Sequence, residues 1–240
     1  MNRPEPAVAA TASAPLAAAA SEPRRRHPEE TKQRLLDAAE RLFAAHGFDG
    51  TSLRAVTQAA GTSVSAANYH FGSKETLLVA TIRRRAEPVV RARAARLDEI
   101  ERRAGAGPLP LEELLDAFLR PIFEERARPE RSDDFRRIAA RLFSDPPAVV
   151  ASLKREVFGS TAERFLEALA RALPEKPRMW IALDLQFLVG VMVHVTSGHL
   201  RDVPAPGGWP RLEELSDEAV LGRMIEFVAA GLRAPRPGSR

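Results

Sequence analysis

Residues 51–75 read TSLRAVTQAAGTSVSAANYHFGSKE, and this stretch decides the fold. It contains two short helical segments around a glycine. The first runs from Ser52 to Ala60, with Thr51 placed to cap its leading N–H groups; the second reaches His70, with Ser63 as its N-cap. Gly61 ends the first, and Gly72-Ser73 open a further helix at Lys74. A helix, a tight glycine turn and a second helix of about two turns is helix-turn-helix grammar. Such a unit cannot bury its own apolar face. The preceding segment, from about Glu30 to His46, supplies the cover: Leu35, Ala38, Ala39, Leu42 and Phe43 share one stripe, Gly47 stops it, and Phe48 folds back on it. Closing that stripe over Leu53, Val56 and Phe71 leaves the Ser63–His70 helix protruding.

The protruding helix presents Ser63, Ser65, Ala66, Asn68, Tyr69 and His70, which are small or hydrogen-bonding groups suited to a DNA groove. No carboxylate occurs between Thr51 and Lys74, so nothing in the stretch repels phosphate. Arg54 is the only lysine or arginine before Lys74. The string Gly61-Thr62-Ser63, followed by Asn68-Tyr69-His70-Phe71-Gly72-Ser73-Lys74-Glu75, closely resembles the DNA-binding signature of TetR-family regulators. That resemblance implies phosphate contacts from Tyr69 and Lys74, and a backbone contact from Thr51 at the start of the second helix. It also implies base contacts from Ser65, Ala66 and Asn68, with Arg54 free to meet either kind of group. Lys74 and the N-terminus of its own helix would make a joint anion site. Two positions depart from the pattern: Thr62 stands where valine is usual, and Asn68 where many members carry tyrosine.

The rest of the chain shows helical spacing punctuated by proline and glycine, with no alternating β-branched run. An all-α fold of about nine helices follows. The fourth helix runs from Lys74 to about Arg103, strained or kinked at Pro88. Later helices are expected at Leu111–Arg126 around Pro121, Ser132–Phe143, Ala148–Leu173, Arg178 to about His199, and Ser216–Leu232. The domains read as an Ala/Pro/Arg-rich disordered arm (1–28), a helix-turn-helix domain (29–75), an effector and dimerisation domain (76–233) and a frayed tail (234–240). Arg24-Arg25-Arg26 in the arm can reach phosphates or a minor groove, or simply stay solvated.

Aromatic residues of the second half form either a solid core or the wall of a cavity. A ligand site is expected near Phe118, Ile122, Phe143 and Phe158, with Pro121 easing a bend in one wall. The order of motifs from Phe135 to Gly198 resembles PsrA-type regulators, which implies a small apolar effector such as a fatty acid or acyl compound. The last two helices carry more apolar surface than a monomer covers. Trp180, Leu183, Phe187 and Val191 on one, with Met224 and Phe227 on the other, are the expected contacts of a homodimer. Gly190 permits close approach of a helix, from the same chain or a partner.

The 240 residues include no cysteine, which excludes disulfides, thiolate metal sites and cysteine nucleophiles. His194 and His199, five positions apart, fall on different helical faces, so no metal or cofactor is expected. No nucleophile–base constellation or phosphate loop points to an enzyme. The net charge is +4, and the longest apolar stretch, Trp180 to Val195, is interrupted by Asp184, Gln186 and His194, so a cytoplasmic protein without membrane attachment is expected. The implied mechanism is a homodimer on a palindromic double-stranded operator, repressing or activating, with an effector altering the spacing of the two recognition helices.

Overall fold

The structure, a computed structural model, describes residues 28–127, 154–196 and 214–234, with isolated positions at 134, 137, 138, 148, 151 and 207. The basic arm, all of the expected Ser132–Phe143 helix except positions 134, 137 and 138, Phe143, His199 and the tail after Ala234 lie outside the described residues.

Eight α-helices are described: α1 Pro28–His46, α2 Leu53–Ala59, α3 Val64–Phe71, α4 Lys74–Ala104, α5 Leu111–Arg126, α6 Gly159–Ala172, α7 Arg178–Thr196 and α8 Asp217–Arg233. A π turn, Lys154–Phe158, leads into α6, so that Gly159 opens α6 inside the span expected as one Ala148–Leu173 helix. Among the described residues there is no strand.

Helices α2, α3 and α4 begin where local chemistry says they should. Ser52 caps α2 by accepting from the Ala55 N–H at 3.1 Å, Ser63 caps α3 by accepting from Ala66 at 3.1 Å, and Ser73 caps α4 by accepting from Thr76 at 3.1 Å. Gly61 turns the chain between α2 and α3 at a φ of 60°, a conformation that costs a side-chain-bearing residue free energy. Thr51 does not cap. Its hydroxyl bonds inward to the carbonyls of Gly47 at 2.8 Å and Leu42 at 3.1 Å, locking the α1–α2 corner, and the neighbouring Ser52 does the capping.

Two apolar cores share α4, which at 31 residues is about 46 Å long. The first joins Leu35, Phe43, Val56, Phe71, Leu77 and Ile82 and extends along α4 to Ala86. The first core therefore does not end with the helix-turn-helix at residue 75: the first three turns of α4 are part of it. The second core gathers Leu97, Leu114, Phe118, Phe165, Leu185 and Leu221 from α4 to α8. Helix α4 runs through Pro88 without interruption.

Beside the first core, Glu40 of α1 is 2% exposed and takes both Arg84 (2.6 Å) and Arg85 (2.7 Å) of α4, while Asp37 takes Arg84 at 2.7 Å. A buried carboxylate held by two guanidinium forks ties the small unit to the long helix in one orientation. Nothing in the spacing of the sequence marked Glu40. The run Arg83-Arg84-Arg85 was the available signal, and it has the look of an ordinary solvated cluster.

Candidate nucleic-acid interface and apolar helix faces

Helix α3 stands off the first core on Ala67 (1% exposed) and Phe71 (7%), which face inward. The opposite side is open: Tyr69 is 84% exposed, and Ser63, Ser65 and Asn68 are exposed beside it. Ala66 and His70 are half-buried, with the His70 ring edge-on to Tyr69 at 5.2 Å. Arg54 of α2 is exposed on the adjoining surface. Val64, the first residue of α3, is 42% exposed. The sequence reading passed over it because a valine counts as core material unless its place on the helix is known. Here it stands at the first turn of α3, above Ala67 and Phe71 on the same stripe, where the helix end leaves it open.

Three expected contacts have other duties. Thr51 is 2% exposed and its hydroxyl is used inside the fold, so it offers nothing to an external phosphate. The Ser63 hydroxyl is committed to the α3 N-terminus and lies 3.0 Å from the Ser65 hydroxyl. Lys74 donates to the Phe48 carbonyl at 3.0 Å, and its ammonium sits 4.0 Å above the Phe48 ring. The joint anion site at the start of α4 is also pre-empted. The Glu75 carboxyl is held below its usual range by its own backbone N–H first and by the Ser73 hydroxyl next, so this side chain already supplies the negative charge that the helix N-terminus favours. Lys74 keeps N–H donors beyond the one given to Phe48.

Thr62, the departure noted at the turn, carries a buried hydroxyl oxygen without a hydrogen-bond partner. A valine there would fill the same space without stranding a polar atom.

The expected ligand-site residues fall into separate clusters. Phe118 is 5% exposed in the second core, edge-on to Phe165 at 5.0 Å, with Ile122 packed alongside. Phe158 is on the other side of the boundary. The π turn brings it, with Val157, against the core of the DNA-binding unit. Phe118 and Phe158 therefore do not line one cavity: Phe118 meets Phe165 in the second core, and Phe158 meets the first. An open cleft of about 530 Å³ lies elsewhere, between the α6–α7 turn and the end of α8, lined by Leu173, Trp180, Asp184 and Leu232. At its edge Lys176 pairs with Asp184 at 2.5 Å and donates to the Leu232 carbonyl at 2.7 Å.

The last two helices divide more cleanly. On α7, Ile181, Leu185 and Leu188 are buried within the chain, whereas Trp180 (38%), Leu183 (39%) and Phe187 (61%) are exposed together with Met179 (72%). On α8, Phe227 is 62% exposed. Val191 is half-buried against the second core, and Met224, at 5%, belongs to that core outright, so Met224 is withdrawn from the outward face. The moment of an apolar helix does not say which of two apolar sides faces home; Met224 shares a side with Leu221 and Val228, which pack inward. Among the described residues no group lies within 4 Å of where a Gly190 side chain would begin, so none of them packs on Gly190.

Comparison with known proteins agrees with this architecture. Residues 35–81 match the bacterial regulatory proteins of the tetR family, and residues 116–231 match the tetracyclin repressor-like C-terminal domain. The HTH-type transcriptional repressor AcnR of Corynebacterium glutamicum is 41% identical over 56 residues, as is that of Corynebacterium efficiens. Each match covers 23% of this chain and only 30% of the relative. Among solved structures, the fatty acid degradation regulator FadR of Bacillus halodurans superposes with a TM-score of 0.59 at 16% identity, covering 85% of this chain and 97% of that one. A bacterial regulatory protein in the tetR family from Rhodococcus RHA1 gives 0.57 at 18%, covering 86% and 98%. At such identities the likeness is one of fold, an N-terminal helix-turn-helix unit followed by a helical domain. With both halves matched to models of one family and the fold shared throughout, the chain belongs to the TetR family of bacterial regulatory proteins.

Proposed function

We propose that this protein is a DNA-binding transcriptional repressor that acts as a homodimer and is released from its operator by a small apolar effector. The observation that carries the DNA reading is the open side of α3: a short, capped helix with Tyr69 84% exposed at its centre, small polar neighbours, and no carboxylate from Thr51 to Lys74. A phenol and hydroxyls on an acid-free face can approach a polyanion without repulsion. Repression rather than activation is favoured by the AcnR relatives, whose names are those of repressors.

The homodimer rests on Met179, Trp180, Leu183, Phe187 and Phe227, an exposed stripe over two neighbouring helices of a kind that monomers rarely leave in water. A two-fold axis would pair it with its own copy, α7 and α8 against α7 and α8. By length and composition α7 would also suffice to cross a bilayer. Its packing on α6 and α8, and the Lys176–Asp184 pair at its base, favour a protein partner for its free side. Among effectors, an acyl or fatty-acid compound is the leading class, supported by the PsrA-like order of motifs and by the name of the FadR neighbour.

The test is titration of labelled duplex, from the region upstream of the protein's own coding sequence, at rising salt. Affinity should fall along a straight line of log K against log salt. Tyr69→Phe, which removes one hydroxyl, should weaken operator binding about tenfold, the worth of a hydrogen bond to a charged group. Asn68→Ala should alter base preference more than affinity. Phe187→Glu combined with Phe227→Glu should halve the sedimenting mass and abolish tight operator binding. Salt-independent binding, or none to any duplex, overturns the reading.

A further inference from the structure

Helix α4 carries eight arginines, and all but one meet a carboxylate. Arg83 pairs with Glu156 at 3.0 Å, Arg84 and Arg85 share Glu40, Arg91 takes Glu87 at 3.1 Å, Arg96 takes Glu124 at 2.6 Å, and Arg102 and Arg103 share Glu99. Most of these pairs lie at the surface, where they contribute little. The exception is Arg93, which is 4% exposed and has no carboxylate within ion-pair distance among the described residues. Its Nε donates to the Phe118 carbonyl at 2.7 Å, its guanidinium lies 3.8 Å from the centre of the Phe118 ring, and one terminal nitrogen reaches the Met192 sulfur at 3.2 Å. A thioether is a weak acceptor. Burial lowers the Arg93 pKa to about 9, so the group remains a cation at neutral pH. A charge taken out of water without an opposite charge is costly, and it is kept where something compensates it.

We propose that Arg93 is the anion anchor of the effector site: a monocarboxylate with an apolar tail binds with its head on the free edge of the guanidinium, displacing the Met192 sulfur, and with its tail against the apolar side chains around Phe118. This deepens the effector reading above and rests on it. Three features make the place suitable. The flexible Met192 side chain can withdraw without moving backbone. Charge-assisted hydrogen bonds replace the contact to sulfur and are stronger than neutral ones. The three elements that meet at Arg93 are α4, which runs on from the DNA-binding core, α5, kinkable at Pro121, and α7, which bears the outward stripe. A ligand there would touch both α4, which continues the helix-turn-helix core, and α7, which bears the outward stripe, and it can shift the population only through the difference in its affinity for two arrangements of those helices.

The experiment uses the full chain without DNA, so that it is independent of operator binding. Saturated fatty acids of eight to sixteen carbons and the matching primary alcohols are titrated by calorimetry into wild type, Arg93→Gln and Arg93→Lys, with far-UV circular dichroism as the check of folding. Wild type should bind its preferred acid at least tenfold more tightly than the alcohol of equal length. Arg93→Gln should lose that preference while still binding the alcohol, and Arg93→Lys, which keeps the charge, should retain most of it. Equal affinity for acid and alcohol, undiminished acid preference in Arg93→Gln, or no acid binding by wild type would each overturn the proposal. Operator binding by the same wild-type preparation then tells whether the DNA reading stands without it.

Discussion

The two cores strung along α4 are specified in different ways. In the first, α2 and α3 have only seven and eight residues, yet each has its start marked by a serine side chain and its turn by a glycine; the contacts that define them lie three or four positions apart. Its packing uses small residues as well as large, with Ala38, Ala39, Ala44 and Ala67 all at 1% exposure or less. In the second, α5 and α6 begin at Pro110 and Phe158 without any side-chain cap. Large side chains such as Leu97, Leu114, Leu119, Phe165 and Leu169 fill the interior, and pairs such as Arg120 with Glu218 or Arg233 with Glu112 join positions about a hundred residues apart. The first core is written locally. The second exists only when distant helices meet.

The contrast can be broken by mutation. Phe165→Ala removes a side chain 1% exposed from the second core, together with its edge-on contact to Phe118, and should cost about 3–5 kcal/mol in denaturant unfolding. A loss below about 1 kcal/mol would mean that the second core is loose around Phe165. Glu40→Ala, beside the first core, should cost about 2–3 kcal/mol, discounted from the range for a fully buried pair because Arg84 and Arg85 keep 22% and 18% exposure. It should also loosen α1 on α4, seen as faster amide hydrogen exchange along α1; unchanged exchange there would show that Glu40 is no tie. Thr62→Val should act in the opposite direction, raising stability by about 1 kcal/mol through removal of the stranded hydroxyl at the α2–α3 turn. Destabilisation instead would reveal a partner for that oxygen.

The helix order, the glycine turn, two of the serine caps and the protruding α3 were legible because each depends on residues within one or two turns of each other. Errors began wherever two readings were locally equal. Thr51 and Ser52 are both fit to cap α2, and only the α1–α2 corner, which draws the threonine hydroxyl to Gly47 and Leu42, assigns the task to Ser52. Met224 and Phe227 are both apolar on one helix, and only the position of α5 buries the first and leaves the second 62% exposed. Phe158 followed the same pattern: its aromatic character was visible, but the π turn that sends it to the first core was not.

From the order of residues alone follow an all-helical chain, a recognition helix free of acid, and an excess of apolar surface near the C-terminal end, since these rest on periodicity, capping and charge within short windows. Folding in three dimensions settled which arginines of α4 find carboxylates among the described residues and that Arg93 does not, where one core gives way to the next along α4, and which side of α7 faces outward. Those outcomes depend on pairings between helices tens of residues apart, and no local pattern encodes the distance between two side chains that meet only after the chain has closed on itself.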